Sequence, residues 1–183
     1  NRWPDWDKKI LNISGEKFSG KSHLANIFKL KSKAFLVKGN KIDNSIFKSL
    51  KLYESIIIDD FEECNKEEIL YSIFNLIDQD SKYLLINSLK PINKIKFKLP
   101  DLASRSKNCL YAEIENPDDE LLFAIILKNF SDRQIKIEKK IINFIISRID
   151  RSYRKIDEFI YKIDELSLKK KKPINLKTIK EIL

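Results

Sequence analysis

Three features predict an α/β chain: apolar runs alternating with helical segments, a GxxxxGKS loop between the first strand and the first helix, and the loss of every strand signal beyond residue 115. The expected architecture is a parallel five-stranded sheet core over residues 1–115 and a small all-helical lobe over 116–183. Ile10-Leu11-Asn12-Ile13 is the first strand, and His23-Leu24-Ala25-Asn26-Ile27-Phe28 suits the helix that leaves the loop. Ala34–Val37 and Ser55–Asp60 are continuous apolar runs of the kind that strands covered on both faces require. Lys66–Gln79 sets Ile69, Ile73, Leu76 and Ile77 at helical spacing, and Tyr83–Asn87 follows as a fourth strand. Leu110–Ile114 is the fifth, with weaker alternation than a solvent-edge strand would show. At Asn116-Pro117 the pattern changes: Asn116 can cap a helix, Pro117 fits its first turn, and Asp118, Asp119 and Glu120 favour the positive end of its dipole. Helices are expected at 117–129, about 138–149 and about 152–168, with Asn175 capping a last one at 176–183.

The 183 residues are enough for one core, or for a core with a small appended lobe. Hydrophobic residues at 43% and charged residues at 34% describe a soluble globular chain, and no apolar run approaches a membrane span. Signal and transit peptides are not visible, so a cytoplasmic protein is expected. The chain opens on Asn1 and contains no methionine, which reads as a fragment or a processed product. Cys64 and Cys109 cannot make a disulfide framework, and neither has a Cys or His at metal-ligand spacing; both are expected to be reduced, structural thiols. The lone histidine, His23, is expected to pack or hydrogen-bond beside the loop. Net charge is +9, shared almost evenly between the two halves, so neither is a basic tail. Lys90, Lys94, Lys96 and Lys98 form one basic cluster and Lys169–Lys172 another; each can meet phosphate or an acidic partner, but by itself each reads as a solvated face.

The chemistry begins at Gly15-Glu16-Lys17-Phe18-Ser19-Gly20-Lys21-Ser22. In this strand–loop–helix context the pattern is a phosphate-binding loop: glycines let the backbone turn its N–H groups toward a phosphate, close to the positive end of the following helix. The expected nucleotide contacts are Gly15, Phe18, Ser19, Gly20, Lys21, Ser22 and His23, with Lys21 on the outer phosphates and Ser22 on Mg²⁺. Phe18 is larger than the residues expected at that point in such a loop, and is expected either to pack on the helical lobe or to crowd the loop. Asp59, ending the Ile56-Ile57-Ile58 strand, supplies the second Mg²⁺ ligand, and Asp60 stands where it can polarise a water. An aspartate reaches less far than a glutamate, so slow intrinsic ATP hydrolysis is expected. Asn87, closing the next strand, can orient the γ-phosphate or the water; Arg105 can project toward a neighbouring subunit; Arg154 can fold over the nucleotide.

Together these motifs resemble the DnaA/Hda family of AAA+ proteins, the likeness running over essentially the whole chain. It is carried by the two nucleotide motifs and by Trp3-Pro4-Asp5-Trp6, Pro100-Asp101-Leu102-Ala103-Ser104-Arg105, Pro117–Leu122, Asp132-Arg133-Gln134 and Ile163–Leu168. The resemblance implies an AAA+ P-loop NTPase core with a helical lid and ADP or ATP held between them. It matches Arg105 to the arginine finger that acts in trans and Arg154 to the sensor 2 arginine. The implied role is negative regulation of bacterial replication initiation: an ADP-bound protein on the DNA-loaded sliding clamp of DNA polymerase III contacts ATP-bound DnaA and stimulates hydrolysis of that ATP. A nucleoid-associated location, a possible homo-oligomer and only indirect or weak DNA contact go with it. No segment between Asn1 and the loop resembles the family's clamp-binding motif, so that segment either precedes Asn1 or is lacking. Two other readings stand beside this one: the AAA+ core of a DnaA-type initiator, which would continue past Leu183 into a helix-turn-helix module, and a nucleotide-dependent binding module that stimulates no partner.

Overall fold

The computed structural model describes residues 8–133, 135, 137–170 and 179–182. They fall into two compact units. The first takes in the described residues up to Gly15 together with Gly20–Ile114, and the second Glu16–Ser19 together with the described residues from Glu115 onward.

In the first unit, strands β1 (Ile10–Gly15), β2 (Phe35–Lys38), β3 (Ser55–Asp59), β4 (Tyr83–Ser88) and β5 (Leu110–Ile114) form one sheet in the order β2-β3-β4-β1-β5. Every pairing is parallel; Ile13 lies opposite Asn87 on one side and Ala112 on the other. Between the strands run helices α1 (Lys21–Ser32), α2 (Ile46–Leu50), α3 (Glu67–Gln79) and α4 (Pro100–Ser106), with 3-10 turns at Gly39–Lys41, Phe61–Glu63 and Ile92–Lys94. Successive residues of a strand face opposite sides, and the β3 and β4 sequences use this directly. Ile56, Ile58, Leu84 and Ile86 join Leu70, Ile73, Phe74 and Ile77 of α3 and Leu102 of α4 in one core. Ile57 and Leu85 point into the other, with Ile13, Ala25 and Ala34. That two-sided burial is why these strands read as unbroken apolar runs. The fifth strand departs from expectation: β5 is an edge strand with Tyr111, Ala112 and Glu113 exposed, because only β1 pairs with it.

In the second unit, α5 (Asp119–Asp132), α6 (Lys139–Ile146) and α7 (Tyr153–Lys170) bury Leu122, Ile126, Phe130, Ile142, Ile145, Ile156, Phe159, Ile160 and Ile163 against one another. Its first helix is capped by Asp118, not Asn116: the Asp118 carboxylate accepts from the Leu121 N–H at 2.8 Å. Asp118 has the extended backbone that a cap needs, φ −76°, ψ 177°, and its carboxylate together with Asp119 and Glu120 lies at the positive end of the helix dipole. Trp3–Trp6, Gln134, Lys171, Lys172 and the Asn175 cap lie outside the described residues, and of Lys169 and Lys170 only the backbone is described.

Candidate functional site

The candidate site lies at the carboxyl ends of β1, β3 and β4. As β1 ends at Gly15 the chain turns through the loop and enters α1 at Gly20, whose φ of 91° is left-handed backbone that favours glycine. Gly20 makes no side-chain cap hydrogen bond, and the positive end of the α1 dipole lies at the loop, where an anion is favoured. Phe18 also takes positive φ, 68°, without being glycine, and it is 61% exposed, so the expected packing does not occur. His23 is exposed on α1 and does not pack either.

Around the loop the polar groups are already organised. The Lys21 ammonium, buried, donates to the Gly15 carbonyl at 2.8 Å. The Ser22 hydroxyl donates to Asp59 at 2.9 Å, and the Asn87 amide donates to the other carboxylate oxygen of Asp59, also at 2.9 Å. Asp59 is only 6% exposed and Asn87 fully buried, so three helix and strand ends converge on one carboxylate. The Asn87 amide oxygen is buried without a hydrogen-bond partner, and so is the Ser19 hydroxyl. Such orphans are rare in folded proteins unless a ligand or water satisfies them.

These groups fit a magnesium nucleotide. Ser22 and Asp59 offer hard oxygen donors, which Mg²⁺ prefers, and leave most of its shell to phosphate and water. Among the described residues no cluster of three or more His, Cys, Asp or Glu competes as a metal site.

Asp60 leaves this group. Its backbone sits at φ 53°, ψ 51°, and its carboxylate pairs with the Lys38 ammonium at 3.3 Å. That hydrogen bond is the main cause of a raised Lys38 pKa. Gly39 permits the arrangement: a Cβ there would stand 2.2 Å from the Asp60 carbonyl oxygen. Neither Lys38 nor Gly39 is marked by a sequence motif; both are found only once β2 and β3 are paired, Lys38 beside Asp59.

Arg105 is at the opposite edge of the sheet. It lines a small cavity of about 240 Å³ with Lys8, Lys9 and Ile10, at the amino end of β1, and with Phe74, Asp78 and Asn108. Its guanidinium pairs with the Asp78 carboxylate and lies 5.6 Å from the centre of the Tyr71 ring. With a rise of about 3.3 Å per residue, β1 separates the two edges by roughly 17 Å, further than an arginine side chain reaches. Cys109 donates its thiol to the Arg105 carbonyl, and burial pushes its pKa up to about 12, so it is an inert structural thiol. Cys64 is half-buried, and its pKa is likewise raised by burial.

In the helical unit the loop residue Glu16 has a role that sequence alone gave no sign of. Its carboxylate accepts from the Ser152 hydroxyl at 2.6 Å and from the Tyr153 N–H at 2.8 Å, closing the amino end of α7. Arg154, one residue on, is exposed and donates to Glu158 at 2.9 Å. Lys90, Lys94, Lys96 and Lys98 are all exposed. No helix among the described residues is long and apolar enough to cross a membrane.

Comparison with known proteins agrees with this geometry at the level of fold. No family model matches the chain. A Haemophilus influenzae protein described only as uncharacterized is 25% identical over 195 residues, covering 98% of this chain and 83% of its own. Domain III of the Thermotoga maritima replication initiation protein DnaA superposes with a TM-score of 0.76 at 20% identity, over 97% of this chain and 84% of that one. The Thermotoga maritima RuvB Holliday junction branch migration motor gives 0.71 at 19% identity, over 95% of this chain and 60% of its own. A replication initiator DnaA bound to AMPPCP and single-stranded DNA gives 0.67 at 20% identity, over 89% of this chain and 58% of its own. The chain therefore shares the fold of DnaA domain III and of the RuvB motor.

Proposed function

We propose that this chain is a nucleotide-dependent AAA+ regulator of bacterial replication initiation, of the Hda type, which presents Arg105 to ATP held by a neighbouring DnaA and stimulates hydrolysis of that ATP. The observation that carries the reading is the position of Arg105 at the amino edge of the sheet, across β1 from the chain's own phosphate loop. An arginine there serves another molecule's site. Its guanidinium would offset charge developing on the transferring phosphoryl group, an effect that reaches a thousand-fold or more.

At the chain's own site, the loop amides and Lys21 hold the phosphates of ADP or ATP, Ser22 and Asp59 hold the Mg²⁺ that screens them, and the free acceptor of Asn87 orients the terminal phosphate or a water. Ser19 adds a second unsatisfied group to the loop. Intrinsic hydrolysis is slow in this account, because Asp60 is short and held by Lys38; turnover at tens per second by the purified protein would contradict it. The bound nucleotide acts as a switch in the cytoplasm, with the DNA-loaded sliding clamp as the second partner, self-association possible in assembly, and DNA contact indirect or weak.

The test is ATP hydrolysis by a cognate DnaA in the presence of ADP, DNA-loaded clamp and this protein. Wild type stimulates hydrolysis; Arg105→Ala, with an unchanged circular dichroism spectrum, does not. Normal stimulation by the variant would remove the reading. A second reading, the AAA+ core of an initiator, is favoured by the likeness to DnaA domain III. ATP-dependent assembly of this protein on origin DNA, without stimulation of any partner, would favour it.

A further inference from the structure

The described structure gives Arg105 a partner on its own chain. Its guanidinium is paired with the Asp78 carboxylate near the end of α3 and lies beside the Tyr71 ring two turns earlier on the same helix. Both partners are on α3, and Arg105 closes α4, so the contact is made between helix surfaces fixed by the packing of Leu102 and Phe74 in one core. The side chain is 35% exposed and that of Asp78 54%, so the pair sits at the solvent boundary where it can open.

Resting on the reading of Arg105 as an arginine that acts in trans, we propose that Asp78 is a latch: it holds the guanidinium on α3 until a triphosphate on a partner displaces it. The carboxylate and a phosphate oxygen compete for the same fork of N–H donors, since both accept bidentate pairing from arginine. Lys8 and Lys9 line the same cavity as the pair, so the single Asp78 carboxylate leaves its surroundings net positive, which favours the approach of a phosphate. Asp78 therefore acts through Arg105 as a positioning residue and touches no nucleotide itself.

An exposed ion pair is a weak restraint, and its opening is easy to measure. Typical pairs of this kind are worth enough to shift an equilibrium by about two- to five-fold. Two measurements use the full chain. The first is the rate at which phenylglyoxal modifies Arg105, followed by mass spectrometry, which reports the free guanidinium without any partner. Asp78→Asn, nearly the same shape without the charge, should raise the rate by about two- to five-fold, and Asp78→Glu should return it toward wild type. The second is the concentration of this protein that half-maximally stimulates hydrolysis of DnaA-bound ATP; Asp78→Asn should lower it by the same factor and leave the maximal rate unchanged, with the wild-type difference shrinking as salt is raised.

An unchanged modification rate overturns the latch, as does an unchanged half-stimulating concentration. Arg105→Ala run alongside separates the failures. If that variant stimulates as wild type does, the arginine-finger reading falls and takes the latch with it; if it is inactive while Asp78→Asn behaves as wild type, the latch alone falls.

Discussion

The two edges of the sheet are built in opposite ways. At the carboxyl edge, Lys21, Asp59 and Asn87 are buried, Lys21 donating to the Gly15 carbonyl at 2.8 Å and Asn87 to the Asp59 carboxylate at 2.9 Å. At the amino edge, Arg105 and Asp78 are partly exposed and joined by an ion pair that solvent screens. A buried network costs little reorganisation when a ligand arrives and holds it in one geometry. An exposed pair can open to an incoming partner. Under the proposed function the contrast would separate a site that retains its own ligand from one that works outward, and each edge makes a prediction that the other does not.

The largest expected effect inside the chain's own site is that of Lys21→Ala. It removes a charged donor to phosphate, a contact of about 1.5–3 kcal/mol, and should weaken ADP binding by about ten- to a hundred-fold in calorimetry. Affinity equal to wild type would dissolve the distinction between the edges. A smaller effect is expected in the helical unit, where Glu16→Ala removes the acceptor for the Ser152 hydroxyl and the Tyr153 N–H. Loss of such a cap costs about 1 kcal/mol, and it should appear as faster amide exchange in the first turn of α7. Exchange confined to wild-type rates would mean that Ser152 caps the helix unaided through its bond to the Lys155 N–H, 3.2 Å long.

Much of this was legible in the residue order, for a physical reason in each case. The central strands β3 and β4 are legible as apolar runs because they are buried on two sides. The phosphate loop is visible because its glycines and Lys21-Ser22 are consecutive. Asp59 is visible because a carboxylate ending an all-isoleucine strand has few other uses. What stayed hidden depends on residues distant in sequence. Lys38 meets Asp60 across two paired strands, Asp78 meets Arg105 across two helices, and Glu16 meets Ser152 over 136 positions. The Asn116 cap failed because Asp118, two residues on, offers a carboxylate where an amide oxygen was expected, and a charged acceptor is favoured at the positive end of the helix. The edge position of β5 escaped because its five residues show no clean alternation, and pairing on one side only is a property of the sheet.

The separation of the edges is tested most directly by the ADP affinity of Arg105→Ala, measured by calorimetry beside wild type and Lys21→Ala. Arg105 lies across β1 from the loop, so the account predicts affinity indistinguishable from wild type. A loss comparable to that of Lys21→Ala would mean that the arginine serves its own chain's nucleotide, and would contradict the account.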